Sequence, residues 1–233
     1  DNAPQKIIDG IELHHKKSKN TFYRLYGNKN IIEPAINKKS IDNNFFEIIH
    51  TEDKIKGEDT AFAAAKRGKN TSMWLAIESV KNKTSDIIIS AGNTGALLII
   101  AKLNLKMIEN IDKPALSGLW PSKKGMSVVL DLGANIECSD KNLIDFSIMG
   151  SSLFNSLYPE EKAKVALLNI GSEEVKGNEV IKETYKKLNQ ISNEDFEFKG
   201  FIEGNSLMNG EVNVIVADGF TGNVALKTAE GTA

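Results

Sequence analysis

The sequence predicts an α/β protein whose mostly parallel sheet is covered by helices on both faces. Three features carry that expectation. From Asp86 onward, short β-branched apolar runs alternate with segments of about 12 to 18 residues at helical period. The runs IIIS (87–90), VVLD (128–131), VALLN (165–169) and VNVIVA (212–217) are apolar on both strand faces, as parallel strands buried on both sides must be. Each of them leads into a corner containing glycine and asparagine.

The elements follow in order. Pro4 suits a first helical turn, and Ile7, Ile8 and Ile11 continue a helix to the basic stretch Lys16 to Lys19. His14 and His15 on that helix read as solvent-exposed. TFYRLYG (21–27) and FFEIIH (45–50) are short strands, and a polar connector runs from Thr51 to Asp59. Thr71 and Ser72 cap a helix that buries Met73, Trp74, Ile77 and Val80. PALSGLW (114–120) and FKGFIEG (198–204) add two further strands. No internal repeat, low-complexity tract or Pro/Gly-rich linker divides the chain, so residues 1–233 read as a single α/β domain. Both ends, DNAP and EGTA, read as cuts through a longer protein.

Composition narrows the function classes. With 233 residues, 41% hydrophobic, the chain can bury a substantial core. The 29 basic and 31 acidic residues nearly cancel, which gives no field for gathering nucleic acid. A single cysteine, Cys138, excludes an internal disulfide and fits a reducing, cytoplasmic setting. The apolar run Ala96 to Ala101 is far shorter than the ~20 residues that span a bilayer.

The corners carry the functional signal. They are Gly92-Asn93-Thr94-Gly95 after IIIS, Gly133 to Asn135 after Asp131, Gly177-Asn178 after VALLN, and Asp218-Gly219-Phe220-Thr221-Gly222-Asn223 after VNVIVA. Taken singly, each is a tight turn or helix cap. Placed together at the carboxyl edge of a parallel sheet, they occupy the crevice where open α/β sheets bind ligands. Glycine lets backbone approach a ligand closely, and a helix N-terminus presents unpaired N–H groups. Such corners suit an anion, most simply phosphate. GNTG is not GxGxxG, and GxxxxGK[ST] is absent, so no nucleotide fingerprint accompanies them.

The inventory of reactive groups restricts the chemistry. All three histidines, His14, His15 and His50, fall in the first quarter of the chain, which leaves a histidine-based triad without support. Cys138 reads as an incidental small residue, and Glu173-Glu174 has no partner motif for a metal. No metal or cofactor is expected. Attack of inorganic phosphate on a thioester fits what remains, because the nucleophile is already anionic and a thiolate leaves with little acid assistance. The site must then position phosphate and stabilise the oxyanion. Lys176, beside Gly177 and Asn178, is the best-placed cation, and Asn223 is the second candidate.

ISAGNTGALL, VVLDLGAN, FSIMGS, ALLNIGSEEVKGNE and VADGFTGNVALKTAEG, in that order, closely resemble the bacterial phosphate acyltransferases of phospholipid synthesis across essentially the whole chain. The resemblance implies a three-layer α/β/α fold of the isocitrate/isopropylmalate dehydrogenase type and a homodimer. It implies transfer of a fatty acyl group from acyl-acyl carrier protein to inorganic phosphate, giving acyl phosphate for glycerophospholipid synthesis. It assigns catalysis to Lys176 and Asn223, and implies a cytoplasmic protein with peripheral membrane association. Phosphotransacetylases, which use acyl-coenzyme A, look similar in architecture; that activity, or a non-catalytic anion-binding module, is the alternative. Asn2 stands where the family usually has histidine, and Lys66-Arg67-Gly68-Lys69 is a diluted form of a more basic run.

Overall fold

The structure, a computed structural model, describes residues 3–191 and 195–232, so Asn2 lies outside the described residues. The chain divides into two compact units, Asp1–Lys106 and Met107–Ala233.

The first unit contains helix α1 (Gln5–Lys17), strand β1 (Tyr23–Gly27), helix α2 (Lys29–Ile36), strand β2 (Phe46–His50) and helices α3 (Ala61–Arg67), α4 (Ser72–Lys81) and α5 (Thr94–Leu105). The two strands pair in parallel. Ile8, Leu25, Ile32, Ile36 and Ile41 form one core, and Ala64, Met73, Ile77, Ala96 and Ile100 form another. Thr71 caps α4 by accepting the Trp74 N–H, and Met73 and Ile77 are buried as expected, but Trp74 and Val80 are only partly buried and Ser79 takes an inward position. α2 was not read from the sequence because Pro34 lies inside it; the side chain of Asn28 caps its start.

Two further expectations about this unit fail. Ile87 to Ser90 form no strand. Ile88 packs on the second core while Ile87 and Ile89 stay exposed. β-Branched residues favour extended backbone, but a strand exists only where a neighbour pairs its N–H and C=O groups. His15 is buried, not exposed, with its ring edge-on to Phe45 at 4.8 Å between centroids. His14 does face solvent, its Nδ1 2.7 Å from the Tyr23 hydroxyl.

The second unit is the layered one. Its elements are β3 (Ser117–Ser122), β4 (Gly125–Leu130), α6 (Asp140–Leu157), β5 (Ala163–Asn169), α7 (Glu179–Gln190), β6 (Phe196–Glu203), β7 (Val214–Val216) and α8 (Gly219–Thr232). The sheet order is β3-β4-β7-β5-β6, parallel throughout except for the antiparallel edge strand β3. The last strand in sequence is thus the central one in space, which is why Val214, Ile215 and Val216 are all fully buried.

Alternation along the strands divides the core in two. Val128, Leu130, Val165, Leu167, Val214 and Val216 meet Leu143, Phe146 and Phe154 of α6 and Ile181 and Leu188 of α7. The intervening Val129, Ala166, Leu168 and Ile215 face the other way, against Ala225 and Leu226 of α8. A sheet with period-2 side chains, apolar on both faces, therefore sits between two helical layers. A capping box of Ser139 and Asn142 starts α6, and Lys187 of α7 reaches Asp140 at 2.5 Å.

Candidate active site

In this sheet the corners after β4, β7 and β5 lie side by side at one carboxyl edge. The first is organised by Asp131, which is fully buried. One carboxylate oxygen accepts the N–H groups of Leu116 (3.0 Å), Gly133 (3.2 Å) and Ala134 (2.9 Å). The other accepts the N–H of Asn135 at 2.7 Å and its side-chain Nδ2 at 2.8 Å. The backbone donors of Gly133 to Asn135, expected to meet phosphate, are therefore occupied by an anion of the chain itself. Asp131, with a carboxylate that accepts roughly four hydrogen bonds, has no capacity left for a ligand. Asn135 Nδ2 is likewise committed, since it also donates to the Pro114 carbonyl at 2.7 Å.

The corner after β7 is clamped onto this loop. Asp218 accepts the Thr221 N–H at 2.8 Å and the Thr221 hydroxyl at 2.9 Å, which caps α8 with a carboxylate at its positive end. The Gly219 N–H donates to the Asn135 carbonyl at 2.7 Å. A Cβ on Gly219 would lie 2.6 Å from that same oxygen, and one on Gly222 would collide with the Asp131 carbonyl. These glycines are needed for close approach of helix and loop. Gly133 is needed for its φ of +131°, a region closed to most side chains. Across this seam Asn223 donates Nδ2 to the Leu132 carbonyl at 3.1 Å, so its amide has a fixed direction with its second N–H still to give.

The third corner is held from below by Asn169, a residue the sequence reading passed over. Its Nδ2 donates to the carbonyls of Gly171 (3.1 Å) and Lys176 (3.2 Å), closing the loop that carries the lysine. The signal was an asparagine ending an otherwise apolar strand. Gly177 packs on that asparagine, and Asn178 caps α7 by accepting the Ile181 N–H at 2.9 Å. Lys176 is exposed, and among the described residues no ion pair engages its ammonium.

A cavity of ≈ 360 Å³ reaches Asp218, Phe220 and Thr221 of the second corner and Asn178 of the third, with Ile136, Glu137 and Cys138 just beyond the first; Lys176 and Asn223 do not line it. Ile136, Cys138, Leu143, Val180, Ile181 and Phe220 form its apolar wall, with Asn178, Asp218 and Thr221 among the polar groups at its border. Ile136 and Phe220 are 70% and 63% exposed. The sequence reading did not find this wall, because its members come from a loop and three helices with no common motif. Cys138 is half-buried, its thiol 3.5 Å from the Asn135 carbonyl, and burial pushes its pKa up.

The remaining corner belongs to the first unit. Asn93 caps α5 through the Ala96 N–H at 2.9 Å, and its Nδ2 donates to the Gly57 and Asp59 carbonyls, both at 2.9 Å. Thr94 and Gly95 open α5, and Gly92 lies against Met73. In the nearby basic stretch, Arg67 pairs with Asp59 at 2.9 Å and Lys66 lies over the Phe62 ring at 5.1 Å.

The layered sheet with its strand-end corners has the phosphotransacylase fold. EutD phosphotransacetylase from Staphylococcus aureus is similar with a TM-score of 0.69 at 13% identity, over 98% of this chain and 79% of that one. A branched-chain phosphotransacylase from Enterococcus faecalis V583 is similar with a TM-score of 0.62 at 14% identity, over 98% and 80%. A family model described as "Fatty acid synthesis protein" matches residues 1–233. "Phosphate acyltransferase" of Pelagibacter ubique is 75% identical over 233 residues, 100% of this chain and 69% of its own length. "Phosphate acyltransferase" of Paramagnetospirillum magneticum is 40% identical over 232 residues, 100% and 66%. The chain spans about two thirds of the length of these relatives. It belongs to the phosphate acyltransferase family of enzymes.

Proposed function

We propose that the protein moves a fatty acyl group from acyl-acyl carrier protein to inorganic phosphate, giving acyl phosphate and free carrier protein. The observation that carries this reading is the family match along the whole chain. A phosphate oxygen attacks the thioester carbonyl carbon, a C–O bond forms, the C–S bond breaks, and the carrier leaves as a thiolate that takes up a proton. Two groups serve the step. The exposed ammonium of Lys176 offsets charge on phosphate and on the tetrahedral oxyanion, and the free N–H of Asn223 donates to the same developing charge.

Phosphate recognition falls to Lys176 and to the first turn of α7, because Asp131 and Asp218 occupy donors in the other two corners. The apolar wall of the cavity favours a substrate with a hydrocarbon portion over a purely polar one. Residues 1–233 act as one catalytic piece, since the family match runs unbroken through both compact units. The acting species is read as a cytoplasmic homodimer with peripheral membrane contact, on the family resemblance. No helix among the described residues is long and apolar enough to cross a membrane.

The test supplies the full-length enzyme and phosphate with acyl-acyl carrier protein or with acyl-coenzyme A, trapping acyl phosphate with hydroxylamine. Faster product formation from the carrier-protein thioester supports the reading. A clear preference for acyl-coenzyme A replaces it with a phosphotransacetylase-like activity, and phosphate binding without product leaves an anion-binding module.

A further inference from the structure

We infer that Asp131 is a positioning residue for Asn223: a fully buried carboxylate that never touches substrate but fixes the direction of the amide that does. The inference rests on the reading of Asn223 under the proposed function.

The link is continuous. Asp131 receives five hydrogen bonds, from the N–H groups of Leu116, Gly133, Ala134 and Asn135 and from Asn135 Nδ2. Those bonds fold residues 131–135 around the carboxylate and leave Leu132 with its N–H on the Leu116 carbonyl at 2.9 Å. The Leu132 carbonyl is thereby aimed at α8, where it receives Asn223 Nδ2 at 3.1 Å. The seam is closed from the other side by the Gly222 backbone lying on the Asp131 carbonyl, so the loop cannot turn without moving the helix. Several charge-assisted bonds to one carboxylate make the loop rigid, and a buried polar network of this kind holds its geometry only while every member is satisfied.

Asp131→Asn keeps the size and removes an acceptor: its NH₂ would face N–H groups that need one. If Asp131 acts through Asn223, the loss appears in turnover and vanishes once Asn223 is gone. The experiment is a double-mutant cycle in the full-length enzyme, reading kcat and KM for phosphate and acyl donor, with folded fraction checked by near-UV circular dichroism. Asp131→Asn is expected to lower kcat by about 10²-fold, the scale of a 1 Å misplacement. KM should stay within about twofold, as for a group whose contribution is made in the transition state. In the Asn223→Ala background the same change should cost less than about threefold, because two residues acting on one interaction are not additive.

A merely structural role would lower the folded fraction in both backgrounds alike, so effects that multiply overturn the inference. If Asp131→Asn does not fold, Asp131→Glu, which keeps the charge but displaces the acceptor oxygens, serves in the same cycle; multiplying effects there overturn it equally. An active wild-type enzyme with multiplying effects removes only this inference. A wild-type enzyme that forms no acyl phosphate removes the proposed function, and this inference with it.

Discussion

The Cα of Gly222 lies so close to the carbonyl of Asp131 that no Cβ fits between them. The obstacle is backbone, which cannot rotate aside like a side chain. Gly222→Ala must therefore displace α8 from the 131–135 loop. Overpacking of this kind costs about 1 to 3 kcal/mol. The denaturation midpoint of the variant should fall accordingly, and an unchanged midpoint would show that the seam is looser than described.

Cys138 should be dispensable. In the proposed reaction phosphate is the nucleophile, and burial of the thiol raises its pKa above the ordinary 9.0. Cys138→Ala is expected to keep most of the wild-type turnover; a folded but inactive variant would point to a covalent acyl-enzyme. The raised pKa also fixes a sign. The folded state favours the neutral thiol, so this contribution is fully present below the ordinary thiol pKa and is lost as pH rises through the raised value. Melting curves of Cys138→Ala should be less sensitive to alkaline pH than those of the wild type.

Asp140 and Lys187 give an acid-side counterpart. The Lys187 ammonium, 2.5 Å away, holds the Asp140 carboxyl below its ordinary 3.8. A depressed carboxyl contributes stability above the unfolded pKa and loses it as pH falls through the folded one. The pair is partly exposed, so the effect is small and weakened by salt. Asp140→Asn should reduce the acid sensitivity of the melting temperature in that range at low ionic strength. Identical acid profiles for variant and wild type would mean the pair is not formed in solution.

How much was legible in the sequence depended on where the determining force lay. VALLN and VNVIVA announced themselves as buried strands because apolar residues on both faces have one common explanation, and both formed. IIIS carried the same signal and failed, because pairing is a property of neighbours and not of the run. The sequence marks the glycines at 133, 219 and 222 as places where backbone can approach a ligand closely; in the structure each also lies against another part of the chain. The Asn135 backbone approaches Gly219, the Asp131 backbone approaches Gly222, and the Asn223 side chain lies against Gly133. A local motif states that room is needed and cannot say for what. The cavity wall of Ile136, Val180 and Phe220 was invisible for a different reason, since it is assembled from residues far apart in the chain.

Steady-state acyl phosphate formation by full-length Lys176→Met is the sharpest test of the proposed action of Lys176 on phosphate and thioester. Methionine keeps most of the side-chain volume and removes the charge, and an exposed side chain contributes little to folding, so the melting temperature should hold. Loss of one well-placed stabiliser of a developing oxyanion lowers turnover by about 10² to 10³, or ~3 to 4 kcal/mol in the barrier. A fall of that size in kcat, with the fold intact, is the predicted result. Near-normal turnover in a folded Lys176→Met enzyme would contradict the claim and leave Lys176 an ordinary solvated lysine.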